Sequence, residues 1–279
     1  MSTGILYIVA TPLGNLEDMS FRAVRILQEV KIIAAEDTRH SRRLLDHYGI
    51  STPAISCHEH NENQRLPQLL QKLENGENIA LISDAGTPCI SDPGYHLVKA
   101  AGEKGFSVIP IPGCSAAIAG LSVSGLPTDS FAFHGFLPKK KQQQAKALES
   151  LKPQKETLIF YESPRRILSL LERILSTLGD RQACLAREIT KRHEEYLRGS
   201  VSHLISILGE RESIKGECAL FVQGQTQEKK ISMEELEGLI KAALAKDPDQ
   251  PTSGLAKSLA AAHPVPKKQI YNLILKLRD

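Results

Sequence analysis

Short apolar runs alternate with amphipathic segments through the first part of the chain. Short apolar runs bounded by polar residues are typical of buried strands, and an apolar stripe that repeats every three or four positions is typical of a surface helix. The predicted strands are 5–10, 31–35, 79–83 and 106–111. The predicted helices are 20–30, 39–48, 62–75 and 94–104. Strands and helices that alternate in this way predict a parallel sheet covered by helices.

The pattern changes after Gly125-Leu126-Pro127, where strand-like runs become more frequent. These runs are 130–136, 156–162, 182–188, 194–199 and 218–223. Among them lies one predicted helix, which has Ser163 as N-cap, Pro164 at its first position and an apolar stripe that ends at Leu178. We therefore predict a second lobe with a mixed sheet.

A third pattern follows the charged stretch Glu228-Lys229-Lys230 and is helical throughout. Its predicted helices are 232–246, 253–262 and 266–277. The last two, joined across His263-Pro264-Val265-Pro266, are compatible with a small helix-turn-helix-like unit. The predicted domains are an N-terminal α/β lobe (1–127), a second α/β lobe (128–227) and a helical appendage (228–279).

Composition narrows the class of protein. The chain has 279 residues, of which 41% are hydrophobic and 24% charged, and it lacks both an uninterrupted apolar run long enough for a membrane span and a basic segment ahead of the first strand. We expect a soluble cytoplasmic protein. The five cysteines are widely spaced without a C-x-x-C pair, which predicts reduced thiols and no zinc motif. A net charge of +3 neither establishes nor opposes nucleic-acid binding.

Small residues follow three predicted strands, in the segments ATPLGN (10–15), SDAGTPCISDPG (83–94) and PGCSAA (112–117). Ligands of parallel sheets bind outside the carboxyl ends of the strands. Asp84 can accept hydrogen bonds from amino or ribose hydroxyl groups, and Ala85-Gly86 lets the backbone approach a ligand closely. Asp92 is predicted to cap a helix that Pro93 begins. Together the loops predict a cradle for a nucleoside-like ligand.

Common nucleotide and hydrolase motifs are missing from the sequence. No G-x-G-x-x-G follows the first strand, and there is no P-loop and no G-x-S-x-G elbow. The cradle therefore suits a ligand held mainly by backbone groups, without an obligatory metal.

A series of motifs points to a known family. They are LYIVATPLGNLEDMSFRA (6–23), AAEDTRHSRRLL (34–45), HEHNE (58–62), SDAGTPCISDPG (83–94), IPGCSAA (111–117), FHGFLPKK (133–140), FYESPRR (160–166), AREITK (186–191) and KGE (215–217). With these motifs in this order, over about residues 4–225, the chain resembles the 16S ribosomal RNA 2′-O-ribose methyltransferases of the tetrapyrrole methylase superfamily.

The resemblance implies a two-lobed α/β fold that binds S-adenosylmethionine in the cleft between the lobes. It further implies a homodimer that methylates the ribose 2′-hydroxyl of a decoding-site cytidine in 16S rRNA, without a metal. The cofactor contacts that it implies are Pro12, Leu13, Asp84, Ala85, Gly86, Thr87, Ser115, Ala116, Tyr161, Glu162, Ala186, Arg187 and, more weakly, Ala219.

Methyl transfer to a hydroxyl requires alignment of the reactants and removal of the hydroxyl proton. The candidates for the base are Glu36, Asp37, Glu188 and Lys191, among which the sequence does not choose. The candidates for phosphate contacts are Arg39, Arg42, Arg43, Lys139, Lys140, Arg165 and Arg166. The stretch from His58 to Glu62 is compatible with a structural network, with RNA or dimer contact, and with a metal site that lacks an evident third ligand.

Two other functions compete with rRNA methylation. A methyltransferase for a tetrapyrrole or other small molecule would share the fold, although the arginine-rich margins of the cleft suit it less well. A ribosome assembly factor would keep the cofactor pocket without turnover.

Overall fold

In the computed structural model of the protein, the described residues are 3–226, 232–247, 250–263 and 265–278. The chain divides into two compact units, Met1–Gly224 and Gln225–Asp279. The predicted boundary at 227/228 and the stretch Glu228-Lys229-Lys230 lie outside the described residues. The predicted three-part domain division stays a prediction.

A parallel sheet forms the first part of the larger unit, in the order β3-β2-β4-β1-β5. Its strands are β1 (Ile5–Val9), β2 (Ile32–Ala35), β3 (Ala54–Ser56), β4 (Ile79–Ile82) and β5 (Ser107–Ile111). The helices of this part are α1 (Phe21–Glu29), α2 (Thr38–His47), α3 (Glu62–Glu74), α4 (Tyr95–Glu103) and α5 (Ala116–Ser124). The predicted parallel sheet is confirmed, and β3 and α5 are elements that the sequence pattern did not reveal.

Helices cover both faces of this sheet. Because side chains alternate along each strand, successive residues pack against opposite helix layers. Ile33 and Ala35 of β2 pack with residues of α1 and α2 in one apolar cluster. Ile32 and Ala34 pack with residues of α3 and α4 in the other. With both faces covered, the loops at the strand ends are the part of the sheet left for a ligand.

Helix α4 begins differently from the prediction. Its N-cap is Gly94, at a φ of 120°, and its first residue is Tyr95, so the predicted cap by Asp92 is wrong. The carboxylate of Glu62 supplies the capping bond instead, since its Oε1 accepts the Leu97 N–H at 3.0 Å. Asp92 therefore takes no part in capping α4.

A mixed sheet forms the second part of the larger unit, in the order β6-β7-β10-β8-β9, with β6 and β7 parallel and the other neighbours antiparallel. Its strands are β6 (Phe131–Phe136), β7 (Thr157–Glu162), β8 (Gln182–Arg187), β9 (Glu195–Ser200) and β10 (Cys218–Val222). The helices are α6 (Lys141–Leu151), α7 (Ile167–Leu178) and α8 (Val201–Gly209). The mixed sheet is confirmed, α7 corresponds to the predicted helix, and α6 and α8 are helices that the sequence pattern did not reveal.

Helix α7 begins at Ile167, three residues after the predicted start, and its N-cap is Arg166. The backbone carbonyl of Ser163, rather than its hydroxyl, accepts the N–H groups of Arg166 and Ile167, at 3.0 and 3.1 Å. Residues 164–166 therefore form a turn that precedes the helix.

Helix α5 joins the two sheets. It follows the last strand of the first sheet, yet Ala117 and Leu121 pack in one cluster with Ile159, Ala186 and other residues of the second sheet. A Cβ at Gly120 would lie 2.4 Å from the Cζ atom of buried Phe221, so a glycine is needed for this close packing.

The described residues of the smaller unit form the helices α9 (Met233–Lys246), α10 (Thr252–Ala262) and α11 (Lys267–Arg278). Their predicted positions are confirmed within a residue or so at each end, and a capping box of Ser232 and Glu235 starts the first of them. Pro264, in the predicted helix-turn-helix joint, lies outside the described residues. Within the described ranges, no helix is both long and apolar enough to span a bilayer.

Candidate active site

Hydrogen bonds join the three predicted loops at the carboxyl edge of the parallel sheet. The strands that precede them, β4, β1 and β5, are neighbours. Thr11 and Gly86 exchange backbone hydrogen bonds of 2.8 and 2.9 Å. The hydroxyl of Thr87 donates to the carbonyl of Cys114 at 3.0 Å. The structure thus brings together the loops on which the predicted cradle depends.

A cavity of about 410 Å³ lies where these loops face the second sheet. This volume is within the usual range for small-molecule sites. The predicted cofactor residues that line it are Leu13, Asp84, Ala85, Gly86, Thr87, Ser115, Ala116, Tyr161, Glu162 and Ala219. The other lining residues are Glu36, Ile90, Ser91, Asp92, Phe136, Ser163, Pro164, Ile189, Glu217 and Cys218.

Three predicted cofactor residues are not among those that line the cavity. Pro12 and Ala186 are buried, and the Ala186 side chain packs in the cluster beneath the cavity. Arg187 binds the carboxylate of Glu195 and the carbonyl of Lys215, at 2.9 and 3.0 Å. Their roles as cofactor contacts stay predictions.

Glu36 and Asp84 brace neighbouring strand ends against each other. The Asp84 N–H donates to Glu36 at 3.3 Å, and the Asp37 N–H donates to Asp84 at 3.2 Å. Burial raises the pKa of Glu36, and the nearby Asp84 carboxylate adds to that effect. These paired contacts fix both carboxylates at the cavity wall.

Asp92 lies on the same wall and was missed as a site residue because its motif predicted a helix cap. Burial, followed by the neighbouring Glu36 carboxylate, raises the pKa of Asp92 to about 6, and none of the groups that perturb it is basic. An acid with a pKa near neutrality inside a cavity is suited to proton transfer.

The loop that carries Asp92 is strained. Cys89 and Ser91 have φ values of 71° and 63°, in the left-handed region that non-glycine residues seldom adopt. The strained pair flanks Ile90, which lines the cavity. Such conformations persist where the surroundings impose them, and they are frequent at functional sites.

The second sheet supplies anchoring groups. The N–H of Ala117 donates to the Tyr161 hydroxyl at 3.0 Å, which ties α5 to β7. The buried carboxylate of Glu162 accepts bonds from Arg166, at 2.5 Å, and from the Ser163 N–H, at 2.7 Å. Since its oxygens are engaged within the protein, Glu162 has a structural role at the cavity wall.

Two other candidates for the base, Glu188 and Lys191, bind each other at 3.1 Å, and Lys191 also pairs with Glu217. Partial burial opposes the charge of Lys191, but Glu217 and Glu188 outweigh it and raise the pKa of this lysine. A lysine base needs the opposite shift. Partial burial likewise opposes the charge of Glu188, yet the Glu217 N–H and Lys191 lower its pKa.

Asp37, the fourth candidate for the base, is not among the residues that line the cavity. Its side chain accepts the Arg39 N–H at 2.8 Å and caps α2. That bond, strengthened by the Arg39 side chain, lowers the pKa of Asp37. Of the four candidates, Glu36 is the one that lines the cavity.

The predicted RNA-contacting side chains are mostly exposed. Those exposed are Arg39, Arg42, Arg43, Lys139, Lys140 and Arg165. Arg39 and Arg42 also form exposed ion pairs with nearby aspartates, and such pairs contribute little to stability. Arg166 is the exception, because it holds Glu162.

The histidine-rich stretch before α3 has a structural component. Glu62 is buried and caps α4, as described above. The Asn61 side chain accepts the His58 N–H at 2.8 Å, which closes the turn. The contacts of Glu62 and Asn61 therefore support the structural interpretation of this stretch.

Comparison with known proteins identifies the class to which this fold and cavity belong. The family model for tetrapyrrole (corrin/porphyrin) methylases matches residues 5–205, so the chain belongs to that family. Its members use S-adenosylmethionine, and the protein is an S-adenosylmethionine-dependent methyltransferase.

Relatives of similar length share nearly half of its sequence. A protein of Halalkalibacterium halodurans is 46% identical over 97% of this chain and 94% of its own length. One of Synechocystis sp. is 47% identical over 98% of both. Each is named "Ribosomal RNA small subunit methyltransferase I", so the resemblance found in the sequence motifs is confirmed.

The fold is also that of a solved structure. Diphthine synthase, at 15% identity, superimposes with a TM-score of 0.62 over 80% of this chain and 91% of its own. The expected two-sheet α/β fold is thereby confirmed.

Replacement of Asp84 tests the cradle directly. Asp84→Ala should weaken binding of S-adenosylmethionine about tenfold or more, because a hydrogen bond to a charged group contributes about 1.5–3 kcal/mol. Titration calorimetry measures the change. The control is Asp129→Ala, at an exposed loop position. Equal affinities of the two variants would remove Asp84 from the site.

Glu195, the first residue of β9, gives a prediction about acid stability. Bonds from Arg211 (2.7 and 2.9 Å) and then from Arg187 (2.9 Å) lower the pKa of Glu195 to about 2. A lowered pKa contributes stability above the ordinary value, which is lost as the pH falls toward 2. Between about pH 5 and pH 2, the free energy of unfolding should therefore fall less steeply in Glu195→Gln than in the wild type.

Urea unfolding at a series of pH values would measure the two slopes. Glu172→Gln, at an exposed position of α7, is the control and should keep the wild-type slope. Parallel curves for wild type and Glu195→Gln would contradict the assignment.

Proposed function

We propose that the protein methylates the ribose 2′-hydroxyl of a decoding-site cytidine in 16S rRNA, in the small ribosomal subunit. The observation that carries the proposal is a cofactor-sized cavity with Glu36 and Asp92 on its wall. It occurs in a chain that is 46% and 47% identical to relatives named as rRNA small subunit methyltransferases. A ribosomal substrate would place the protein in the cytoplasm.

S-adenosylmethionine would be held by the loops after β1, β4 and β5, together with the ends of β7 and β10. Ala85, Gly86 and Ala116 offer backbone with little side-chain cover, and Asp84 and Thr87 offer polar atoms. When bound, the cofactor supplies the electrophilic methyl group. The chain itself must align the hydroxyl and receive its proton.

We propose that the Asp92 carboxylate is the base that accepts the proton of the ribose hydroxyl. Both carboxylates line the cavity; Glu36 accepts the Asp84 N–H, and Asp92, which takes no part in capping α4, has a pKa raised by burial to about 6. With S-adenosylmethionine held by these loops, the Asp92 carboxylate would receive the proton that the hydroxyl loses when its oxygen takes the methyl group from the sulfonium. Glu36, on the same wall, helps to keep the pKa of Asp92 close to neutrality.

Basic residues follow two elements of the cavity wall and suit phosphate contacts. Helix α2, with Arg39, Arg42 and Arg43, begins just after Glu36. Lys139 and Lys140 follow Phe136. These exposed side chains would hold the rRNA backbone on either side of the target nucleotide. A homodimer is part of the same proposal.

The test is transfer of labelled methyl from S-adenosylmethionine to unmodified small ribosomal subunits, followed by mapping of the modified nucleotide. Free 16S RNA and tetrapyrrole precursors are assayed in parallel. We expect label on a ribose 2′-oxygen in the subunit.

Other outcomes would favour the alternatives. Label on a small molecule alone would point to a tetrapyrrole-type substrate. Cofactor and subunit binding with no transfer to any substrate would point to the assembly factor.

A further inference from the structure

Phe136 is a large aromatic residue at the mouth of the cavity. It is the last residue of β6, its surface is 58% exposed, and it lines the cavity. Burial of an aromatic ring is favourable, so a ring left open at a cavity needs an explanation beyond packing.

A β-bulge determines on which face of the strand the Phe136 side chain lies. Phe133 pairs with Ile159, Gly135 with Phe160 and Phe136 with Tyr161, so one extra residue of β6 is left between the first two pairs. Residues three apart normally point to opposite faces of a strand, but the extra residue returns Phe136 to the face of Phe133. Both rings therefore meet Tyr161 edge to face, at centroid distances of 5.0 and 5.8 Å.

Glycine at position 135 makes this arrangement possible. Its φ is 58°, in the left-handed region, and a Cβ there would lie 2.8 Å from the hydroxyl oxygen of Ser91. The bulge and the strained loop after β4 thus fit together at a point where glycine is favoured.

We propose that Phe136 is the stacking platform for the base of the nucleotide that is methylated. The inference rests on the proposed function and deepens it. A ribose whose 2′-hydroxyl enters the cavity carries its base to the mouth, unstacked from its RNA neighbours. An aromatic ring restores the lost stacking, and proteins that bind unpaired bases use such rings repeatedly.

The geometry favours the incoming nucleotide over the cofactor as the partner of Phe136. A tightly held small ligand is largely enclosed by its site. Phe136 instead keeps more than half of its surface open, while its edge-to-face contact with Tyr161, at an interplanar angle of 65°, holds the ring in place. A ring that packs on one side and is open on the other is suited to a base that arrives from outside.

The experiment compares Phe136→Ala, Phe136→Leu and Phe136→Trp in methyl transfer to small subunits. The control is Phe131→Ala, a residue of the same strand that is 43% exposed and not among the cavity-lining residues. We expect kcat/KM to fall about tenfold or more in the Ala and Leu variants, because one base–aromatic stack is worth that much. The Trp variant, which keeps an aromatic surface, should retain more activity than the Ala and Leu variants; the control should stay near the wild type, and the affinity for S-adenosylmethionine should stay unchanged in Phe136→Ala.

Several results would overturn the stacking role. They are an equal kcat/KM for Phe136→Ala and Phe131→Ala, full activity of Phe136→Leu, or a weaker cofactor affinity in Phe136→Ala. A changed sedimentation coefficient of Phe136→Ala would show a contact between copies instead. Failure of the wild type to methylate rRNA is a separate result, because it would refute the proposed function itself.

Discussion

Asp92→Asn should lose most methyl transfer while it still binds S-adenosylmethionine. A positioned proton acceptor contributes about 10²- to 10⁴-fold to a rate, so kcat should fall within that range. The pH dependence provides the more specific evidence. Burial and Glu36 raise the pKa of Asp92 to about 6, and the acceptor must be ionised. The wild-type rate should therefore rise with pH through about 6, and this limb should disappear in the variant.

The stability of Asp92→Asn distinguishes a role of Asp92 in proton transfer from a purely structural role. A pKa raised by folding contributes stability below the ordinary value for aspartate, and that stability is lost as the pH rises through about 6. At pH 8 the ionised Asp92 is thus unfavourable, and Asp92→Asn should melt no lower than the wild type. Asp129→Asn, at an exposed position, is the activity control. A variant that keeps wild-type kcat, or one that loses it only through unfolding, would refute the assignment.

Gly94→Ala should destabilise the protein by about 3 kcal/mol or more, since two costs add. Its φ of 120° is unfavourable for any residue with a Cβ. In addition, the new Cβ would lie 2.4 Å from a methyl carbon of Leu81, a residue that is 1% exposed. Because Gly94 follows Asp92 closely, the rate of methyl transfer should fall as well.

Gly105→Ala is the matched control for Gly94→Ala. Gly105 also has a positive φ, 77°, but nothing lies within 4 Å of its added Cβ. The control should lose only about 1–2 kcal/mol, the conformational cost alone. Denaturant unfolding gives both values, and equal losses would show that the contact with Leu81 relaxes freely.

The predictable part of the fold lies in the strands whose patterns reflect burial. The fully buried strands β2 and β4 were evident as apolar runs, since both of their faces are covered. Strand β3 was missed because it has three residues, each only partly buried. Helix α5 was missed because its small and apolar residues surround the axis without a polar face, and it begins within a loop-like motif.

The candidate site likewise has a part that the sequence predicts and a part that it does not. The cradle was predictable because small residues follow neighbouring parallel strands, a purely local signal. The position of Asp92 was not, since its motif also fits a helix cap, and Glu62, 30 residues earlier in the sequence, decides the outcome. Lys191 fitted a base by type and position, yet its pairing with Glu188 and Glu217 depends on contacts that the sequence does not display.

The position of α5 has a consequence for the use of the lobes as fragments. A cut at the predicted boundary near residue 127 would leave α5 attached to the first sheet. The second sheet would then expose Ile159, Ala186 and Phe221 to water, and exposed apolar patches favour aggregation. A fragment designed for complementation or domain exchange should therefore begin before Ala116, so that the second sheet takes its covering helix with it.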